Sequence, residues 1–147
     1  MKRTYGLLIT LILLVALATA CSQAAPPTAE PAGMTAAGFP QNAAGYADIS
    51  VQQLAEMLPD KDFTLVNVHI PYEGELEQTD LFIAYNRIAD NLNQLPDKDA
   101  LIVLYCRSGR MSTEAATELA ALGYTNVMEL NGGFIAWQAA AYELQQE

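Results

Sequence analysis

Cysteine, histidine and positive charge are scarce in this sequence. Its 147 residues include two cysteines, one histidine and seven lysines and arginines, against seventeen aspartates and glutamates. Cys21 and Cys106 lie too far apart for a CxxC redox pair or a structural zinc site, and two cysteines make no disulfide framework. His69 is the sole imidazole, which weakens a metal centre further. The formal net charge is -10, and Met1–Ala20 contains Lys2 and Arg3 but no acid. Without that stretch, five basic residues face seventeen acids, a net charge of -12. A surface so acidic repels phosphate backbones, so a nucleic acid is not an expected partner. The apolar fraction of 52% is too high for a disordered chain, and the length suits one domain with a tail. A domain of this size needs no second copy to complete its core, so a monomer is expected.

The apolar residues are unevenly spread. Lys2 and Arg3 precede the run Gly6–Ala20 (GLLITLILLVALATA), fifteen residues that are almost wholly apolar. As a helix they would reach about 22 Å, short of a bilayer core of roughly 30 Å. A basic start, a short apolar run and small residues before a break describe a signal peptide over 1–20. The break, Ala18-Thr19-Ala20-Cys21, resembles a bacterial lipobox, in which the cysteine left by cleavage carries a diacylglyceryl group. The alternative is ordinary cleavage after Ala20, leaving Cys21 as a thiol. On the first reading the chain is exported and held at the bacterial cell envelope, on the periplasmic or outer-surface side, by a lipid on Cys21 alone. Ser22–Gly45 follows with eight alanines, four prolines, three glycines and one charge, Glu30. No helical or alternating period survives those prolines, so residues 21–45 read as the anchor and a flexible linker. Its root-mean-square reach is about 25–30 Å.

Residues 46–147 read as the folded domain. Ser50 and Gln53 form a capping-box pattern before a short helix over 51–58, which stops near Pro59. Thr64–Val68 reads as a buried strand, and Leu81–Tyr85 as a strand or an extended loop. Arg87–Leu95 fits a helix with Ile88, Leu92 and Leu95 on one face. Leu101–Tyr105 (LIVLY) is the strongest strand, a continuous β-prone run of the kind found in parallel sheets. An alanine-rich helix over 112–122 follows, with Gly123 placed to cap it. Then come a strand over 125–130, a turn at Asn131-Gly132-Gly133 and a last helix over 134–142. Alternation of strands and helices predicts an α/β fold, a small parallel β-sheet flanked by helices.

In such sheets reactive groups gather where strands end and helices begin. The strongest strand ends at Tyr105 and is followed by Cys106-Arg107-Ser108-Gly109-Arg110-Met111, leading into the helix at Ser112. A cysteine there faces unpaired helix N–H groups and the positive end of the helix dipole, which favour thiolate over thiol. Gly109 lets the loop turn tightly. Arg107 and Arg110 lie within four positions of Cys106, a local positive patch suited to an anionic substrate. Cys106 could otherwise be an inert core thiol. His69 reads as a general base or a structural histidine, Asn67 and Glu73 as loop-stabilising hydrogen-bonders, and Trp137 as core packing.

The run Leu104–Ser112 (LYCRSGRMS) resembles the active-site loop of the rhodanese (sulfurtransferase) family, usually Cys-Arg-x-Gly followed by two variable residues. Gly123–Val127 and Gly132-Gly-Phe-Ile-Ala-Trp137 resemble the family's closing strand, turn and helix, and Leu65–Glu73 its Asp-Val-Arg-x-Pro-x-Glu segment. The similarity spans Ile49–Trp137 in the family's order. Asn67 stands at the usual Asp, His69 at the usual Arg, and Glu75–Asn86 where a Gly-His-Ile-Pro-Gly-Ala segment is common. The resemblance implies ping-pong transfer of sulfane sulfur. Cys106 takes sulfur from a small anionic donor such as thiosulfate, becomes a persulfide, and passes the sulfur to cyanide or a thiol, with no cofactor. It also implies that Arg107, Ser108, Gly109, Arg110 and Met111 bind the substrate, their backbone N–H groups cradling the persulfide.

Three other classes compete. A Cys-x5-Arg thiol phosphatase would need arginine at position 112, which is serine. A disulfide oxidoreductase would need a resolving cysteine, and Cys21 belongs to the anchor. The stronger rival is a weakly catalytic or non-catalytic module that binds or senses sulfur species or a protein partner through the same fold.

Overall fold

The strands expected near 64–68, 101–105 and 125–130 lie side by side in the computed structural model, which describes residues 38–146. The signal segment, Cys21 and the linker as far as residue 37 lie outside the described residues. Strands form at Ala47–Ile49 (β1), Thr64–Asn67 (β2), Leu81–Phe82 (β3), Ile102–Tyr105 (β4) and Val127–Leu130 (β5). These five strands pair in parallel, in the order β1–β5–β4–β2–β3. Helices form at Val51–Met57 (α1), Arg110–Ala121 (α2) and Gly133–Ala139 (α3). The expected class, a parallel sheet flanked by helices, is the one observed.

The sheet separates two apolar clusters. On one face α1 contributes Val51, Leu54 and Met57, and α3 contributes Phe134 and Trp137. On the other, α2 contributes Ala115, Ala116 and Leu119, joined by Ile88 and Leu95 from the turns after β3. Side chains of β4 alternate between the faces: Val103 and Tyr105 enter the first cluster, Ile102 and Leu104 the second. Burial on both faces explains why LIVLY shows no polar alternation.

Several boundaries differ from expectation for local reasons. β1 has no pattern of its own; it forms because Ala47 and Ile49 dock on β5. Ser50 caps α1 as expected: its hydroxyl accepts from Gln53 N–H while Gln53 Oε1 accepts from Ser50 N–H. The helix expected over 87–95 is instead a pair of 3₁₀ turns, Tyr85–Arg87 and Ala89–Gln94. Asn91 leaves helical geometry and donates through its side chain to the Arg87 carbonyl, the local competition that disfavours asparagine in helices. The apolar face persists, with Ile88 and Leu95 buried. α2 begins at Arg110, two residues before the expected start, because Gly109 takes φ +99° and its carbonyl accepts from Thr113 N–H. α3 stops at Ala139, since Ala141 has a positive φ and Tyr142 N–H turns back to the Trp137 carbonyl. Residues 38–45, the end of the linker by composition, touch the domain: Phe39 packs on the first cluster and Gln41 bridges to Ala47.

Candidate active site

The alternation of β4 carries one residue past its end, so Cys106 turns toward the α2 face and joins Leu104 and Ile102 in the second cluster. Its Sγ lies beneath the start of α2. Gly109 N–H donates to it at 3.2 Å and the Ser112 hydroxyl at 3.3 Å. The opposite side of the loop is clamped by α3, where Phe134 N–H donates to the Cys106 carbonyl and Ile135 N–H to that of Arg107, each at 3.0 Å. Two helix N-termini thus share one loop: α2 sits over the sulfur, and α3 finds acceptors for N–H groups that a helix start leaves open. The residue is 1% exposed.

Behind the sulfur stands a group that the sequence reading overlooked. The Ser112 hydroxyl lies 2.6 Å from Glu129 Oε1 on β5 and 3.0 Å from the Gly109 carbonyl. Ser112 and Glu129 are both buried. Burial pushes the Glu129 carboxyl up to about 7; the Ser112 hydrogen bond works against the rise, and Asp48 on β1 adds to it. The available signal was one acid inside an otherwise apolar strand, Val127-Met128-Glu129-Leu130.

The other expected residues are distributed around the loop. Arg107 and Ser108 are exposed, and Arg107 Nη1 lies 3.4 Å from Glu73 Oε1. Arg110 and Met111 belong to the first turn of α2. Arg110 pairs with Glu114 and lies over the Tyr85 ring, while Met111 packs against the second cluster. Gly109 is the residue whose N–H reaches Sγ.

The second wall is built on Asn67, fully buried at the end of β2. Its Oδ1 accepts from His69 N–H and its Nδ2 donates to the Gly74 carbonyl, each at 3.0 Å. An aspartate could make the first bond but, ionised, not the second. His69 is buried edge-on to Phe134, with Nε2 3.2 Å from Glu73 Oε2 and neither ring nitrogen in a well-formed hydrogen bond. Glu73 thus stands between His69 and Arg107. Tyr105 ties the next segment down, its hydroxyl accepting from Leu76 N–H and meeting Thr79 Oγ1. Burial holds that phenol above its ordinary value despite both contacts. A groove of about 550 Å³ opens beside the loop, lined by Glu73, Arg107, Ile135 and Gln138 among others. Trp137 packs in the first cluster and stacks on Tyr142. Among the described residues, no three His, Cys, Asp or Glu side chains gather as a metal site.

A cysteine at the carboxyl end of a central parallel strand, turned beneath the next helix, places a buried thiol at the sheet edge of a parallel α/β domain. The sequence matches the Rhodanese-like domain family over residues 50–140, and the chain belongs to that family. It is 35% identical to a protein of Allochromatium vinosum named Sulfurtransferase, over 61% of this chain and 86% of that one. It is 30% identical to Thiosulfate sulfurtransferase GlpE of Pseudoalteromonas translucida, over 67% of this chain and 94% of that one. Among solved structures, a rhodanese-related protein from Thermoplasma volcanium superposes with a TM-score of 0.61 at 25% identity, covering 69% of this chain and all of that one.

Proposed function

We propose that this protein is a sulfurtransferase that carries sulfane sulfur as a persulfide on Cys106. The observation that carries the reading is the convergence of Gly109 N–H and the Ser112 hydroxyl on Cys106 Sγ at the start of α2. Both are donors, and the helix end beside them favours negative charge on sulfur. Relatives named sulfurtransferase support the same reading.

The thiolate of Cys106 attacks the outer sulfur of thiosulfate. A new S–S bond forms, the donor's own S–S bond breaks, and sulfite leaves with its electron pair. Cyanide or a thiolate then attacks the outer sulfur of the persulfide, and Cys106 departs as thiolate. This is covalent catalysis in two displacements and calls for no metal or organic cofactor. Arg107, exposed at the mouth, draws the anion in, and the backbone N–H groups of Arg107, Ser108, Gly109, Arg110 and Met111 receive the terminal sulfur. The domain works as a monomer at the bacterial cell envelope, exported by the segment 1–20 and anchored by a lipid on Cys21.

The test is the intact mass of the protein before and after thiosulfate, with Cys106→Ser alongside. The expected result is a gain of one sulfur atom, reversed by cyanide and absent from the variant. A folded protein that gains no sulfur supports a second reading, a rhodanese-like module that binds sulfur species or a protein partner. The near-complete burial of Cys106 is the observation that favours it.

A further inference from the structure

Ser112 has one hydroxyl proton and three acceptors within reach: Glu129 Oε1 at 2.6 Å, the Gly109 carbonyl at 3.0 Å and Cys106 Sγ at 3.3 Å. A hydroxyl donates one hydrogen bond and accepts two. If sulfur and carboxyl were both ionised, one anion would face the lone pairs of the serine oxygen in a buried site. One further proton, on Glu129 or on Cys106, removes the conflict. With the carboxyl protonated, Glu129 donates to Ser112 and Ser112 donates to a thiolate. With the thiol protonated, Cys106 donates to Ser112 and Ser112 donates to a carboxylate.

We propose that Glu129 is a positioning residue for Cys106, the two sharing one proton through the Ser112 hydroxyl so that the pair carries a single negative charge. This rests on the reading of Cys106 as the nucleophile. In the exchange the S–H bond of Cys106 breaks as its proton passes to Ser112 Oγ, and the original Ser112 O–H bond breaks as its proton passes to Glu129 Oε1. Charge moves from carboxylate to sulfur, and nothing is oxidised or reduced. The thiolate forms without losing a proton to solvent.

The surroundings of Glu129 fit this role. At 2% exposure the carboxyl is dry, and burial pushes it up to about 7, so a proton can be held there near neutrality. Asp48, its register partner on β1, is the charged neighbour that disfavours ionisation further. Leu104 flanks it from β4, and α2 presents Ser112. The basic residue at the start of α2, Arg110, is turned to Glu114 and Tyr85.

The test is alkylation of the full chain by iodoacetamide across a pH series, in wild type and Glu129→Gln. The rate is read from the mass of the peptide carrying Cys106, so that Cys21 does not enter. At about pH 5.5, where both proteins hold a neutral group at position 129, the rates should agree. Above about pH 8 the variant should react roughly tenfold faster, because no carboxylate competes for the charge. A ratio that stays constant with pH overturns the proposal, since a merely structural role has no reason to titrate. The wild-type profile is a second reading that does not depend on the variant folding. Two ionisations with a flattened region between them are expected, and a single ionisation curve overturns the proposal. Alkylation does not involve sulfur transfer. A protein that takes no sulfur from thiosulfate yet shows the two-step profile removes the sulfurtransferase reading alone; the converse removes the shared proton alone.

Discussion

The Cys106 carbonyl fills the space that a Cβ on Gly133 would need. Gly133 has φ +50°, and a side chain there would collide with that oxygen, which already accepts from Phe134 N–H at 3.0 Å. The position of the sulfur is therefore coupled to a glycine 27 residues away in sequence, through backbone alone.

Gly133→Ala is the direct consequence. The methyl group meets backbone that cannot rotate aside, in a conformation that already disfavours a side chain. The expected loss of stability is about 2–4 kcal/mol, with the loop displaced from α3. Thermal unfolding measures the first effect, and sulfur uptake at a temperature where the variant is folded measures the second. A variant with wild-type melting and uptake would remove the clamp from the account of the loop.

Asn67→Asp tests the second wall. The new carboxylate can still accept from His69 N–H, but it faces the Gly74 carbonyl with no proton to donate. The expected cost is about 2 kcal/mol or more at neutral pH, measured from the denaturant midpoint. The defect should shrink in acid, where a protonated carboxyl donates again. Restoring the residue usual in the family is thus expected to harm this chain.

Glu129 makes stability depend on pH in a direction that can be stated. Its carboxyl is raised from the ordinary 4.5 to about 7 in the folded protein, so folding takes up a proton between those values. Its contribution is fully present below the unfolded value and is lost as pH rises through the folded one. Compared with Glu129→Gln, wild type should lose on the order of 3 kcal/mol between about pH 4 and pH 8. Urea unfolding of both proteins across that range measures it, and parallel curves would contradict the raised value.

Arg107 and Glu73 make a separable prediction on substrate attraction. The pair is 3.4 Å apart with both side chains partly exposed, so it adds little to stability. On the proposed sulfurtransferase reading, its weight lies in the charge left for an anion at the mouth. Arg107→Ala should raise KM for thiosulfate about three- to tenfold with a smaller effect on kcat, and Glu73→Gln should lower KM. Steady-state kinetics at low ionic strength measures both, and an unchanged KM in each variant would take Arg107 out of donor binding.

Much of the architecture was legible because it is written in local patterns. LIVLY reports burial on both faces, Ser50 and Gln53 report the start of α1, and the glycines at 109, 123 and 132–133 mark real turns. The place of Cys106 between the strongest strand and the following helix could be read off directly. β1 could not, because three residues gain strand geometry only by docking on β5. The stretch after β3 was misjudged because Asn91 breaks a helix that its apolar spacing suggests.

The site divides along the same line. By itself the sequence determined the loop, the cysteine within it and the family, since those residues are contiguous and a cysteine at a helix start is a local feature. Only the tertiary structure decided what stands around the sulfur. Glu129 comes to Ser112 from 17 positions away, Phe134 N–H reaches the Cys106 carbonyl from α3, and Glu73 approaches Arg107 from the loop after β2. Parallel strand pairing brings these groups together, and spacing in the chain carries no record of which side chains a sheet will set side by side.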